Sequence, residues 1–300
     1  MKCGFVILNY NDYQETIRLI SQIENYSSIA QIIVVDNKSP NESYEHLKKY
    51  SSNKVHIIQA PSNDGYSSGN NYGIRYLIEN FDIDIVVISN PDVEFNESLV
   101  IKLLEDFENN PQMAVATGLQ YSPKGTLAVH AFWPNYTNWQ YFCFKASGLR
   151  IIYHIKKGSS DYNYSEKKLK ENAGLFEVGA VEGSLFFVRK EDFLKVGLFD
   201  EKVAFYHEED ILAKKIKKIG KTICVNPTVK YIHYGAQTTG KVFSNTTKAK
   251  HSFKSSIYFF NNYQSQNFIL QFVNYVLCWI LRIEDFFVWK IKNCFNKIKQ

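Results

Sequence analysis

The stretch IDIVVISNPDV, residues 83–93, decides the fold, because its apolar run ends abruptly in Asn90, Pro91 and Asp92. A short apolar run rich in Val and Ile is typical of a strand buried on both faces of a sheet. Asn, Pro and Asp favour turns, so the chain leaves the sheet here and places a carboxylate at the strand end. Asp92 could stabilise the turn or the start of a helix, or it could bind a hard cation such as Mg²⁺ or Mn²⁺.

Similar apolar runs alternate with amphipathic segments through the first 120 residues. The predicted strands cover residues 5–8, 32–35, 55–58, 83–89 and 113–118, and the predicted helices cover residues 13–23, 43–50, 72–79 and 97–108. The stretch APSNDGYSSGNN, residues 60–71, is predicted as turns. This alternation predicts an α/β fold with a mostly parallel sheet and helices on both faces. Ligands of such sheets bind beyond the carboxyl ends of the strands.

Asp36 directly follows another apolar run, QIIVV, and is a second acid at a predicted strand end. It could cap a turn, or it could accept hydrogen bonds from a nucleotide base or ribose. A dinucleotide site would need G-x-G-x-x-G after the first strand, but the chain has NYND at residues 9–12. An NAD-binding Rossmann domain is therefore disfavoured.

Three adjacent acids, Glu208, Glu209 and Asp210, precede the basic amphipathic stretch LAKKIKKIGK at residues 212–221. Acids in the first turn of a helix are stabilised by the helix dipole. Neighbouring carboxylates also repel one another, which raises the pKa of at least one, and a carboxylate within reach of a hydroxyl can act as a general base. Both roles stay open from the residues alone.

The composition is that of a large globular protein. The 300 residues are 45% hydrophobic and 15% aromatic, which suffices for a large core. Much of the excess positive charge, +5 overall, lies in residues 214–221 and 290–299, which suggests local contact with an acidic surface and no nucleic-acid partner. Scattered cysteines without a CxxC pair, and an N-terminal apolar run too short for a signal peptide, predict a cytoplasmic protein without structural zinc.

The C-terminal stretch from Asn267 to Gln300 has a helical pattern rich in Phe, Trp, Leu and Ile. Its apolar run is broken at Gln271, Asn274 and Arg282, so it falls short of the roughly 20 residues needed to span a bilayer. It is predicted to be a helical appendage that lies on a membrane surface, or that packs on the domain or on a second subunit. The lysines that would meet anionic lipid are Lys290, Lys292, Lys297 and Lys299.

Taken in order, several blocks of the chain resemble family 2 glycosyltransferases, especially the rhamnosyltransferase-like branch. The blocks are NDGYSSGNNYG at 63–73, NPDV at 90–93, VEGSLFFVRK at 181–190, GLFDE at 197–201 and EEDIL at 208–212. The resemblance runs from about residue 3 to about residue 240. It implies the GT-A (nucleotide-diphospho-sugar transferase) fold in residues 1–240, with residues 241–300 as the helical appendage.

The resemblance also implies roles for individual residues. Asp92 matches the last acid of the D-x-D metal motif, whose first acid is here Asn90, and His233 lies where relatives place a histidine near the metal or diphosphate. Mg²⁺ or Mn²⁺ is the implied cofactor. Asp210 is the implied catalytic base, with Glu209 as the second candidate because the register is ambiguous by one residue. The implied donor-binding residues are Asn9, Asp36, Asp64, Gly65, Asn71, Asn90 and Gly183.

We therefore expect an inverting glycosyltransferase that moves a sugar from dTDP-rhamnose or a UDP-sugar to a hydroxyl of a lipid-linked or growing surface-polysaccharide acceptor. The expected location is the inner face of the cell membrane, with a homodimer as an open possibility. Trp133, Trp139 and Tyr141 could stack on an acceptor sugar or lie in the core.

Two other classes stay open. A non-catalytic GT-A-fold membrane partner is one, because Asn90 and Leu212 depart from the full family pattern. A sugar-nucleotidyltransferase is the other, but it would need a loop rich in Gly and Arg or Lys after the first strand, where this chain has NYNDYQET at residues 9–16.

Overall fold

The computed structural model describes residues 1–128, 130–145, 160–235 and 245–298. The strands are β1 (Cys3–Asn9), β2 (Ile29–Asp36), β3 (Val55–Gln59), β4 (Ile85–Ser89), β5 (Val93–Phe95), β6 (Met113–Tyr121), β7 (Phe132–Trp133), β8 (Phe176–Val178), β9 (Ala180–Val181), β10 (Leu185–Arg189) and β11 (Thr222–His233). The helices are α1 (Tyr13–Ile23), α2 (Ser43–Lys48), α3 (Tyr66–Asn80), α4 (Glu97–Asn109), α5 (Asn138–Lys145), α6 (Ser160–Glu171), α7 (Lys190–Lys195), α8 (Glu208–Lys218), α9 (Asn245–Phe259) and α10 (Phe268–Ile298). A π-helix, Phe260–Gln264, follows α9 directly.

The central sheet has the strand order β3-β2-β1-β4-β10-β6-β11-β5, and β8 also pairs with β11. Strands β1, β2, β3 and β4 are parallel, as are β6 and β11, whereas β10, β5 and β8 run antiparallel to their neighbours. The prediction of a mostly parallel sheet flanked by helices is confirmed. The antiparallel β10 in its middle was not predicted.

Helices cover both faces of the sheet, as the apolar strands require. Along β1, Phe5 and Ile7 belong to a buried cluster with apolar residues of α1, α2 and α4. Val6, which points to the opposite face, belongs to a second buried cluster with residues of α3 and α8. Because side chains alternate along a strand, each face receives its own apolar set.

The start of α3 differs from the prediction. The helix begins at Tyr66 rather than Tyr72, so half of the stretch predicted as turns is helical. Gly65 precedes it with a φ of 103°, a backbone conformation that favours glycine. A Cβ on Gly73 would lie 2.7 Å from Val6 Cγ1, so this helix packs closely on the sheet. Glycine and asparagine suggested turns from local propensity, but close packing on the sheet stabilises a helix instead.

The C-terminal helices pack partly on the rest of the chain. Phe259 and Phe260 form a buried cluster with Tyr141, Val203 and Ile211. On α10, Asn274 and Cys278 are buried, while the opposite side of the helix is exposed and apolar. Within the described residues, no helix is both long and apolar enough to cross a membrane. The exposed apolar residues of α10 include Phe268, Ile269, Phe272, Trp279, Ile280 and Ile283.

A glycine between β8 and β9 provides a test of this packing. A Cβ on Gly179 would lie 2.1 Å from Asn135 N and 2.3 Å from the carbonyl carbon of Pro134, so backbone would have to move. We expect Gly179→Ala to lower the free energy of unfolding by about 1–3 kcal/mol, as overpacking does. The measurement is urea denaturation.

Gly174 offers a matched control, because a Cβ there would meet no atom within 4 Å. Gly174→Ala should change the free energy of unfolding by less than about 1 kcal/mol. Equal values for the two variants would contradict the close contact between Gly179 and residues 134–135.

Candidate active site

Asn9 and Asp36 lie side by side at the carboxyl ends of β1 and β2. Asn9 Nδ2 donates to Asp36 Oδ1 at 2.9 Å, and both residues are fully buried. The second oxygen of Asp36 accepts hydrogen bonds from Gln59 Nε2 at 2.9 Å and from the Ser39 amide at 3.1 Å. The carboxylate is therefore held rigidly at the sheet edge where ligands of parallel sheets bind.

Asp64 and Gly65 lie in the loop that leads into α3. Asp64 is exposed and accepts a hydrogen bond from the Ser62 hydroxyl. A Cβ on Gly65 would lie 2.5 Å from the carbonyl oxygen of Ala204. In this structure, the group that approaches Gly65 closely is the backbone of Ala204. The sequence interpretation instead expected a donor ligand to lie against Gly65.

Asn71 is fully buried on α3 and binds the loop that precedes α8. Its Nδ2 donates to Phe199 O at 3.0 Å and to Glu201 Oε1 at 2.8 Å, and its Oδ1 accepts from the Phe199 amide at 3.1 Å. These hydrogen bonds occupy the side-chain amide. Asn71 therefore anchors the loop that leads into α8 and its acid cluster, Glu208–Asp210.

Asp92 and His233 form a pair at the same edge of the sheet. Asp92 Oδ1 lies 3.3 Å from His233 Nε2, and Glu182 Oε1 lies 3.8 Å from the other ring nitrogen. Burial alone would lower the pKa of His233, but Asp92 and Glu182 raise it above its ordinary value. Asn90 is adjacent, and its backbone amide donates to Ser184 O at 2.7 Å. The predicted metal ligands are thus in contact with each other.

The Asp92–His233 pair fits part of a divalent cation site. A carboxylate oxygen and an imidazole nitrogen 3.3 Å apart are spaced like adjacent ligands of an ion with bonds of about 2.1 Å. Across the ranges that the structure describes, no group of three or more His, Cys, Asp or Glu side chains is arranged to hold a metal ion. These two residues alone would leave most coordination positions to a substrate and water.

Asp210, in the first turn of α8, is a half-buried carboxylate whose side chain is 24% exposed and which has a donor on each oxygen. His207 Nδ1 lies 2.7 Å from Oδ2, and Trp133 Nε1 donates to Oδ1 at 2.9 Å. Burial alone would raise the pKa of Asp210, but the hydrogen bond and charge of His207, followed by Trp133 and Lys214, hold it below its ordinary value. Asp210 is therefore ionised at neutral pH.

The two residues before Asp210, Glu208 and Glu209, instead have pKa values above their ordinary range. Burial, with further contributions from nearby carboxylates, raises the pKa of Glu208 to about 7 and that of Glu209 well above its ordinary value. Glu209 Oε1 accepts a hydrogen bond from the Gly183 amide at 3.1 Å. Glu208 Oε2 is buried and has no hydrogen-bond partner among the described residues. Near neutral pH, protons are therefore concentrated on Glu208 and Glu209.

Asp210 faces a cavity of about 350 Å³. Its lining includes Trp133, Glu182, His207 and Lys214. Glu182 also lies beside His233, so it connects the cavity with the Asp92–His233 pair. Of the three aromatic residues that could either stack on an acceptor sugar or lie in the core, Trp133 and Tyr141 line the cavity, whereas Trp139 is 63% exposed and is not among the lining residues.

Sequence reasoning missed His207 and Glu182. Glu182 lies inside the block VEGSLFFVRK at 181–190, where only Gly183 was assigned a role, and His207 directly precedes the block EEDIL at 208–212. A position within or beside these blocks was the only available signal. The contacts themselves depend on the antiparallel position of β10 in the sheet and on the path of the loop before α8, and no local pattern determines either.

Comparisons with known proteins agree with this geometry. The family model described as "Glycosyl transferase family 2" matches residues 5–177. The chain is 36% identical over 101 residues to the "Low-salt glycan biosynthesis hexosyltransferase Agl10" of Haloferax volcanii, covering 33% of this chain and 31% of the relative. It is 23% identical over 194 residues to the "N-acetylglucosaminyl-diphospho-decaprenol L-rhamnosyltransferase" of Mycobacterium tuberculosis, covering 62% of this chain and 61% of the relative.

Among solved structures, a mannosyltransferase from Pyrobaculum calidifontis in complex with GDP-Man and Mn²⁺ superposes with a TM-score of 0.56 at 12% identity. The superposition covers 92% of this chain and 69% of that chain. The matched regions of the two curated relatives span only about a third and three fifths of their own lengths. The family match covers more than half of the 300 residues, and this protein therefore belongs to glycosyltransferase family 2 and has the GT-A fold.

Proposed function

We propose that this protein is an inverting glycosyltransferase that moves a sugar from a nucleoside-diphosphate donor to a hydroxyl of a glycan or lipid-linked acceptor. The observation that carries this proposal is the ionised Asp210, which faces a cavity of about 350 Å³ that Glu182 connects to the Asp92–His233 pair. Membership of glycosyltransferase family 2 and the similarity to a hexosyltransferase and a rhamnosyltransferase support it.

The donor would lie along the carboxyl edge of the sheet. Asp36, held by Asn9, would accept hydrogen bonds from the nucleotide base, and the loop at Asp64–Gly65 would lie against the nucleotide. Asn90 and Gly183 stand next to the Asp92–His233 pair and the acid cluster, where the diphosphate would be. Asn71 would contribute through the loop that it anchors.

Asp92 and His233 would hold Mg²⁺ or Mn²⁺ together with the diphosphate. A bound divalent cation stabilises the negative charge that develops on the leaving diphosphate. The carboxylate and imidazole ligands suit such an ion, and the structurally similar mannosyltransferase is in complex with GDP-Man and Mn²⁺.

On the acceptor side, Asp210 would take the proton of the attacking hydroxyl. The hydroxyl oxygen then forms a bond to the anomeric carbon while the bond from that carbon to the diphosphate oxygen breaks. Attack from the face opposite the leaving group inverts the configuration. Glu209 is the second candidate for the base, and its raised pKa disfavours it because a protonated carboxyl cannot accept the proton.

The first choices for the substrates are dTDP-rhamnose or a UDP-sugar as donor and a lipid-linked or growing surface polysaccharide as acceptor. The similarity to a rhamnosyltransferase that acts on a decaprenol-linked sugar, as its name states, supports this choice. Residues 1–240 would form the catalytic domain. Residues 241–300 would hold it at the inner face of the cell membrane through the exposed apolar side of α10 and the lysines of residues 290–299.

Replacing the two candidate bases separately tests the mechanism. We expect Asp210→Asn to lower kcat by about 10²–10⁴-fold, the contribution of a general base, with the KM for the donor changed less than about threefold. Glu209→Gln should lower kcat by less than about tenfold. The measurement is release of nucleoside diphosphate from a panel of nucleotide sugars, including dTDP-rhamnose and UDP-sugars, in the presence of candidate acceptors.

The two variants serve as controls for each other, because both replace a carboxyl group by an amide in the first turn of the same helix. The reverse ranking would assign the base to Glu209 and contradict our choice. Wild-type protein that releases no nucleoside diphosphate from any donor would favour the non-catalytic alternative.

The membrane proposal has its own test. Phe272, which is 66% exposed on α10, should contribute to vesicle binding, so we expect Phe272→Asp to reduce co-sedimentation with anionic phospholipid vesicles at least fivefold. Leu194→Asp is the control, because Leu194 is 47% exposed but lies on α7. Equal binding of the two variants, or no binding of wild type, would contradict a membrane contact through α10.

A further inference from the structure

His207 has a backbone conformation that residues other than glycine seldom adopt. Its φ is 69° and its ψ is 4°, in the left-handed region, immediately before the first residue of α8. This conformation is unfavourable for a residue with a Cβ, so surrounding contacts must hold it. This backbone conformation directs the side chain of His207 toward Asp210.

Three contacts fix the imidazole of His207. Its Nδ1 lies 2.7 Å from Asp210 Oδ2, and its Nε2 lies 3.0 Å from the hydroxyl of Ser256. Its ring stacks on Phe259 at a centroid distance of 4.9 Å and an interplanar angle of 4°. Ser256 and Phe259 both belong to α9, far along the chain from the acid cluster.

The chemistry of the partners settles where the ring carries its proton. An ionised carboxylate can only accept hydrogen bonds, so Nδ1 of His207 carries the hydrogen that points at Asp210. The other ring nitrogen, Nε2, forms a hydrogen bond with the Ser256 hydroxyl at 3.0 Å. A hydrogen-bond chain therefore runs from α9 through His207 to Asp210.

The loop before α8 is tied to the C-terminal helices at further points. Ser255 Oγ donates to the carbonyl oxygen of Phe205 at 2.6 Å. The hydroxyls of Tyr258 and of Tyr263, the latter in the π-helix, donate to Asp200 Oδ2 at 2.8 and 2.6 Å. These contacts lie outside the part of the chain that the family model matches, residues 5–177.

We propose that His207 is a positioning residue for Asp210, and that helix α9, through Ser256 and Phe259, completes the active site. This inference rests on the proposed function, in which Asp210 is the base. His207 and Trp133 take one acceptor position on each carboxylate oxygen and fix the carboxylate plane. The remaining acceptor positions are thereby held in place for a hydroxyl in the cavity.

The first test compares two substitutions at His207. We expect His207→Ala to lower kcat by about ten- to a hundredfold, the cost of a misplaced catalytic group, and to leave the KM for the donor within about threefold. His207→Asn should keep kcat within about threefold of wild type. The Asn side-chain amide can donate from the position of Nδ1, and Asn tolerates a left-handed backbone better than most residues.

A double-mutant cycle separates positioning from general damage. If His207 acts through Asp210, His207→Ala should lower kcat no further in a protein that already carries Asp210→Asn. Ser256→Ala should lower kcat by about three- to tenfold. Ser255→Ala is the matched control, because it removes a hydrogen bond between the same helix and the same loop without touching His207, and it should leave kcat within about twofold of wild type.

The outcomes separate this inference from the proposed function. Wild-type protein without transferase activity would remove the proposed function and this inference with it. Active wild type with an unchanged kcat in His207→Ala, or with losses that multiply in the double variant, would overturn the inference alone. A His207→Asn variant as slow as His207→Ala would also overturn it, because the hydrogen bond to Asp210 would then not be the cause. Circular dichroism checks that each variant is folded.

Discussion

The hydrogen-bond donors around Asp210 are the interaction on which the rest of the site depends. A buried carboxylate stays ionised only where donors or positive charges compensate for lost hydration. His207 and Trp133 supply these donors to Asp210, whereas Glu208 has a buried oxygen without a partner among the described residues. The same three-residue stretch therefore holds one anion beside two acids whose pKa is raised.

The elements around residues 208–210 hold His207 and Trp133, the two hydrogen-bond donors to Asp210, in place. Asn71 on α3 fixes one end of the loop that precedes α8, and Tyr258 on α9 binds Asp200 in the same loop. Gly179 lets Pro134 and Asn135, which follow β7, approach the chain between β8 and β9 closely, and its amide donates to the carbonyl oxygen of Trp133. The sheet, α3 and the C-terminal helices therefore all contribute to the geometry of the site. Helix α9, although far along the chain from Asp210, is in this way connected to the proposed chemistry.

Much of the fold was predictable because its strands have nearly continuous apolar runs and its helices have a clear period. The start of α3 was not predictable, because Gly69 and Asn71 favour turns locally. They become helical through contact with the sheet and with the loop at Phe199. The antiparallel β10 was not predicted either. It brings Gly183 to the edge where β4 ends, since Leu185 pairs with Ser89.

The candidate site was predictable where an acid follows a strand directly. Asp36 and Asp92 lie at the expected sheet edge for that reason, and His233 is the last residue of β11. His207 could not be assigned, because a histidine before an acid cluster has no distinctive spacing and its role depends on a helix more than forty residues later in the chain. Contacts of this kind are set by tertiary packing.

The most direct test of the proposed donor and metal site is thermal stabilisation of the protein by nucleoside diphosphates, with and without Mn²⁺. A ligand that binds only the folded state stabilises it by about 2.7 kcal/mol at a hundredfold excess over Kd. We expect a rise in Tm with UDP or dTDP that is larger with Mn²⁺, and loss of the Mn²⁺-dependent part in Asp92→Asn. Asp84→Asn, an exposed acid just before the start of β4, should behave like wild type. No rise in Tm with any nucleotide, or the same Mn²⁺-dependent rise in Asp92→Asn, would contradict the assignment of this edge as a metal-assisted donor site.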